Sequence, residues 1–226
     1  MTRALLAVFL LSAAERASGE EDERARGEYV FRAAGGCTCH TAEGGAPLAG
    51  GRPLRTPFGT VPDETLYSQP VWVPVVHHHG DRGRLLVPLG KRGRLVSADL
   101  RKVQLQWRKV RVVVDLSAER MVVRDGRERL GAFPVGNGAA STPTPTGRFF
   151  VTDRLEFGQG SPYAPFAFGL SAHVSQLPAS WLGGDQVAIH YGAMGAVSHG
   201  CIHAGLDAIE LLKRRAALGT LVIVKA

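Results

Sequence analysis

The chain has 226 residues, 45% of them apolar, enough for one domain of ordinary size with additional segments or for two small ones. Its 28 glycines, 13 prolines and 7% aromatic content favour turns and short strands and argue against a helical bundle. The formal charge of +7 suits an anionic partner such as a lipid surface or an anionic wall, but no basic stripe is interleaved with aromatics, so nucleic acid is not expected.

In chain order, "MTRALLAVFLLSAAERASGEE" opens with one arginine, an apolar run from Ala4 to Ala14, and small residues at Ala17 and Gly19. This pattern reads as a secretory leader over residues 1–19. The apolar run falls short of the ~20 residues a bilayer crossing needs, and no other segment is apolar enough, so no membrane span is expected in the mature protein. Residues 20–70 are loop-rich, with glycine and proline clustered between Gly35 and Thr60. Residues 71–102 read as a small β region broken at Pro74, at "HHHGDRG" and at "GKRGR". From Val103 the pattern becomes regular. "VQLQW" and "VRVVVDL" are strands, and "RMVVRDGRERLGAFPVG" gives two more around an Asp125-Gly126 turn. "GNGAASTPTPTG" is a proline-punctuated loop, "RFFVTD" a strand, and "DQVAIH" a short strand ending at His190. Leu206, Ile209, Leu212 and Ala216 share helical spacing, with Lys213, Arg214 and Arg215 in the last turns and Gly219 as the expected cap. "TLVIVKA" closes the chain as a buried strand.

The stretch that carries chemistry is "VSHGCIHAGLDAIELL", Val197 to Leu212. Cys201 follows Ser198, His199 and Gly200 and precedes the helix pattern. A thiol becomes a nucleophile when it loses its proton, which a nearby imidazole or a helix N-terminus favours. His190, at the end of a strand, is the candidate base. The side chain missing at Gly200 leaves the Gly200 and Cys201 amides free to face a developing oxyanion. From the residues alone, a buried cysteine with incidental histidines is an equal alternative.

The run "IHYGAMGAVSHGCIHAGLDAIELL" resembles the signature of the L,D-transpeptidase catalytic domain of the YkuD type, a histidine followed later by Ser/Thr-His-Gly-Cys. "VDLSAERMVVRDGRERLGAFPVGNGAASTPTPTGRFFV" and "SPYAPFAFGLSAH" match the same family upstream, so the resemblance covers residues 103–226. It implies a mainly β fold: a YkuD-like β-sandwich with one helix after the cysteine, preceded by a small, SH3-like β region and a loop-rich N-terminus. It implies Cys201 as nucleophile, His190 as base, and His199 beside an oxyanion site built with Ser198 and Gly200. His203, Tyr191, Arg148 and Tyr163 are substrate-binding candidates. The implied partner is a peptidoglycan stem peptide, attacked at a diaminopimelate carbonyl through a thioester. The implied location is the periplasm or cell wall, and no cofactor is required. Two features depart from the family pattern. His203 stands where an arginine or asparagine is usual, and an imidazole does not grip a carboxylate with two parallel bonds as a guanidinium does. The step from His190 to Cys201 is also short, and Tyr191 follows the base where a small residue is common. An inactive wall-binding relative is therefore the first alternative.

The segment "GGCTCHTAEGGAPLAGGRPL" resembles the haem-attachment region of bacterial c-type cytochromes. Haem attachment needs Cys-x-x-Cys-His, whereas Cys37, Thr38, Cys39 and His40 leave one spacer. The segment reads as a cytochrome-like remnant, and a haem-bearing redox protein is the second alternative. His77, His78 and His79 are consecutive and point in different directions, so they are not expected to converge on one metal ion. His190, His199, Cys201 and His203 form a zinc set only if a strand holds them on one face, and a turn is expected there.

Overall fold

The computed structural model describes residues 7–10, 54–62, 64–102, 104–181 and 184–226. Cys37, Cys39 and His40 lie outside the described residues. The chain divides into two compact units, residues 1–89 with 94–108, and residues 90–93 with 109–226.

The first unit is an antiparallel sheet. It contains β1 (Ala7–Leu10), a small ribbon of β2 (Leu54–Thr56) and β3 (Gly59–Val61), then β4 (Trp72–His79), β5 (Arg82–Val87), β6 (Arg94–Asp99) and β7 (Gln104–Trp107). The five long-range strands run in the order β6-β5-β4-β1-β7. Pro74 does not break the chain as the sequence implied: it lies inside β4, as register partner of Val8. "HHH" likewise continues β4, and the turn falls at Gly80, whose φ of 52° is cheap for glycine. β7 pairs with β1 in this sheet rather than with the strands that follow it. Val73, Val75, Leu85 and Val87 alternate inward and are buried.

The second unit holds β8 (Val110–Asp115), β9 (Arg120–Asp125), β10 (Glu128–Gly138), β11 (Gly147–Glu156), β12 (Phe166–His173), β13 (Gln186–Tyr191), β14 (Ala196–Ser198), β15 (Ile202–Ala204), helix α1 (Leu206–Arg215) and β16 (Leu221–Lys225). The strand order is β14-β10-β15-β13-β12-β11-β16-β8-β9, and β9 also pairs with β10. β10 is long enough to serve both ends: Glu128–Pro134 pairs with β9, while Val135 and Gly136 pair with β15 and Asn137 and Gly138 with β14. The sheet is thus folded over on itself with its two layers hydrogen-bonded through one strand, the mainly β architecture expected. One α-helix follows the cysteine.

Strict alternation builds the core. Val112 and Val114 on β8, Met121 and Val123 on β9, and Val222 and Val224 on β16 point inward and are buried. β12 departs from alternation. Its stretch "FAFGLSA" is buried on both faces, so it reads as an uninterrupted apolar and small-residue run, which is why the sequence pattern passed over it.

Helix α1 buries Ala208, Ile209 and Leu212 against this core. Leu206 is exposed, contrary to the face inferred from spacing. The helix ends at Ala216, whose N–H donates to the Leu212 carbonyl at 2.7 Å. Gly219 is not the cap: its N–H donates to the Val151 carbonyl, joining the connection to β11. Asp207 in the first turn and Lys213, Arg214 and Arg215 in the last complement the helix dipole.

Candidate active site

β13 and β15 run parallel, with Ile189 opposite Ile202, His190 opposite His203 and Tyr191 opposite Ala204. Ile189, Ile202 and Ala204 are buried in the core. Side chains alternate along extended chain, so His190 and His203 share the other face. Their rings meet edge to face, 4.7 Å between centroids. Cys201 stands two residues before His203 and forms a hydrogen bond with the backbone of Ala188, two residues before His190. The sulfur therefore lies against β13, beside Ala188. Tyr163 packs its ring edge-on against His190 at 5.0 Å.

The tautomer of His190 is fixed by its neighbours. Nδ1–H donates to the Tyr191 carbonyl at 2.8 Å, which leaves the lone pair on Nε2. His203 is held in the same way, Nδ1–H to the Ala193 carbonyl at 2.8 Å. Its ring fits because position 192 is glycine: a Cβ there would stand 2.6 Å from the His203 ring.

Burial sets the charge state. His190 is 6% exposed, and desolvation lowers its pKa from 6.5 to about 4; the Tyr191 carbonyl opposes this, and His203 adds to it. Desolvation raises the Cys201 thiol above its ordinary value, with the Ala188 backbone acting the other way. At neutral pH the pair is thiol and neutral imidazole. Burial opposes the pre-ionised sulfur anticipated from a helix N-terminus. β15 intervenes between Cys201 and α1, and three strand residues at ~3.3 Å each separate the sulfur from the helix start.

The turn before the cysteine is built by hydroxyls. Ser198 Oγ–H donates to the Cys201 carbonyl at 2.6 Å, and Ser198 Oγ accepts the Gly200 N–H at 3.2 Å. The Gly200 amide, anticipated as an oxyanion donor, is thus engaged by Ser198. Gly200 has a φ of 104°, and a Cβ there would stand 2.6 Å from Val174 Cγ1, so glycine is required twice over. His199 is exposed and stacks on Trp181, ring centroids 4.4 Å apart.

Sequence reasoning missed Thr142 and Thr144. Both are buried within the segment read as a loop and matched to the family, without a role for either hydroxyl. Thr142 Oγ1 donates to the Ser198 carbonyl and Thr144 Oγ1 to the Gly200 carbonyl, each at 3.0 Å. Thr144 Oγ1 also accepts the Gly138 N–H at 2.8 Å. The signal was present in "TPTPT". Proline fixes φ at alternate positions and donates no N–H, which holds the threonine hydroxyls at a set spacing. Trp181 carried no such signal.

The structure brings His190, His203 and Tyr163 together and sets Cys201 against the same strand at Ala188, with Ser198 and Gly200 forming the turn and His199 at its surface. Tyr191 contributes its carbonyl, while its side chain is 48% exposed. Arg148 is not in this group: it is exposed on β11 as register partner of Ile223 on β16. Among the described residues, no group of histidine, cysteine, aspartate and glutamate is arranged to hold a metal ion.

Residues 109–224 match the model of the YkuD L,D-transpeptidase catalytic domain. The chain belongs to this family. Among solved structures it is similar to L,D-transpeptidase 1 of Mycobacterium tuberculosis (21% identity, 69% of this chain and 76% of that one, TM-score 0.39). It is also similar to an L,D-transpeptidase from Mycobacterium smegmatis (22% identity, 76% of each chain, TM-score 0.42). The chain further matches the gluconate 2-dehydrogenase cytochrome c subunit of Pantoea cypripedii, 40% identical over 75 residues. That match covers 29% of this chain and 17% of the subunit's length.

Proposed function

We propose that this protein is an exported peptidoglycan L,D-transpeptidase in which Cys201 is the nucleophile and His190 the base. The observation that carries the reading is the His190 tautomer. With Nδ1–H committed to the Tyr191 carbonyl, Nε2 is an acceptor on β13, the strand whose Ala188 backbone meets Cys201. The thiol adds to the carbonyl of a stem-peptide donor as its proton passes to Nε2. The Cys201 amide stabilises the oxyanion, with His199 beside it. Collapse releases the terminal D-alanine, whose amine takes the proton from His190, and leaves a thioester. An acceptor amine then attacks the thioester and loses its proton to Nε2, and the thiol is restored. The buried face favours the amine over water. Tyr163 and His203 flank the donor, Tyr191 lies at the rim, and Arg148 would serve a more distant part of the substrate. In this reading residues 1–19 are the leader, 20–70 a cytochrome-like remnant, 71–102 a small β region and 103–226 the catalytic part. The protein works in the periplasm or cell wall, without a cofactor.

One observation favours a second reading, a wall-binding protein without catalysis: the Gly200 amide is already taken by Ser198, leaving one donor fewer for an oxyanion. Incubation with a carbapenem followed by intact-mass measurement separates the two. The enzyme gains one covalent adduct on Cys201, which is absent in Cys201→Ala. An unmodified wild-type mass overturns the enzyme and leaves the binding protein. Mass spectrometry of muropeptides from walls incubated with wild type and Cys201→Ala then distinguishes cross-linking from hydrolysis.

A further inference from the structure

The arginines of β8, β9 and β10 are arranged in a way the proposed chemistry does not use. Arg111 on β8 is the register partner of Arg124 on β9, and Arg124 is the partner of Arg129 on β10. Val112 and Val123, next to the first two, are buried in the core, so the arginines occupy the outward face. Neighbouring strands are ~4.8 Å apart, which places three like charges in one row about 10 Å long. Directly opposed like charges destabilise a sheet.

Among the described residues, no carboxylate pairs with this row. Asp115 is held by Lys225 at 2.6 Å, and Asp125 by Arg215 at 3.1 Å. Among the described residues, Arg111, Arg120, Arg124 and Arg129 form no ion pair. One guanidinium N–H of Arg124 donates to the Arg127 carbonyl at 3.2 Å, which orients the head without neutralising it. Arg120 and Arg124 flank a shallow groove over Val113 and Val122 that also holds the Asp115–Lys225 pair.

We propose that this face binds a phosphodiester-linked anionic polymer of the cell wall through the row Arg111, Arg124 and Arg129. Guanidinium groups grip phosphate bidentately, and two arginines at strand spacing bracket one tetrahedral anion. A bilayer fits less well, because none of the large exposed apolar side chains lies on β8, β9 or β10. Single-stranded nucleic acid fits less well because the single aromatic residue of these strands, Phe133, packs against the core rather than standing free for bases to stack on. The choice of a wall polymer rests on the functional reading above, but its test is independent of the cysteine.

The full chain is titrated with synthetic poly(glycerol phosphate) over a range of salt concentrations. Each phosphate contact contributes a log–log salt slope of roughly −0.7 to −0.9 by analogy with nucleic acids, so the wild type should show a slope of about −2 to −3. The triple variant R111Q/R124Q/R129Q should bind at least about tenfold more weakly with a slope near zero, while carbapenem acylation of Cys201 continues at the wild-type rate. If that variant unfolds, R111K/R124K/R129K keeps the charge but loses the fork and should bind several-fold more weakly. Wild-type affinity in the folded glutamine variant, or in the lysine variant, overturns the proposal. Tighter wild-type binding to phosphatidylglycerol vesicles or to single-stranded DNA of equal charge also overturns it.

Discussion

The two halves of β10 show opposite uses of one strand. Val135 to Gly138 lies in a desolvated region, where Thr144 takes the Gly138 amide and ties it to the turn before Cys201. Glu128 to Pro134 lies at the surface, where Arg129 stands beside Arg124 with no acid between them. Burial in the first half strips charge, leaving a neutral imidazole and a thiol. Exposure in the second half lets charge accumulate, because water screens the repulsion. The difference teaches that one strand can serve a desolvated region at one end and a cationic face at the other, provided that one end is dry.

The comparison is broken most severely at the dry end. His190→Ala is expected to slow carbapenem acylation by about 10²- to 10⁴-fold, the usual contribution of a positioned base, while leaving the fold intact by circular dichroism. A rate within a few-fold of wild type would detach Cys201 from His190 altogether. Next comes Thr144→Val, which strands the Gly138 N–H and the Gly200 carbonyl. The expected cost is about 1–3 kcal/mol in chemical denaturation, with slower acylation; Thr144→Ser should recover most of both.

The pH dependence sharpens the contrast. The reactive form has neutral His190, so kcat/KM should hold steady from neutral pH downward and fall with an acid limb near 4. A limb near 6.5 would mean that the site is wetter than its geometry implies. The same shift acts on stability. His190 has a lower pKa folded than unfolded, so its contribution is complete above about 6.5 and is lost as pH falls toward 4. The smallest effect belongs to the wet end. Arg124→Gln removes repulsion on both sides of the row and should raise stability by a few tenths of a kcal/mol at low salt, with the gain fading as salt is added.

Much of this molecule was legible before any coordinates. Alternation in "VRVVVD" and "RMVVRD" located β8 and β9, because one face of each is buried and the other wet. The helix showed through Ile209 and Leu212, although its exact face did not. Leu206 lies at the first turn, where the core has ended, and periodicity cannot report where a core ends. β12 was missed because burial on both faces erases alternation. Among the candidate residues, the Ser198-His199-Gly200-Cys201 run was recognisable as a motif, while Thr142 and Thr144 passed as loop residues.

The sequence by itself determined the mainly β class and the family motif, because these depend on residue type and local period. Only the tertiary structure decided that the thiol and imidazole are uncharged, that Ser198 occupies the Gly200 amide, and that three arginines from separate strands form one row. Each of those depends on what lies within a few ångströms across strands, and desolvation and register are properties of neighbours that are distant along the chain.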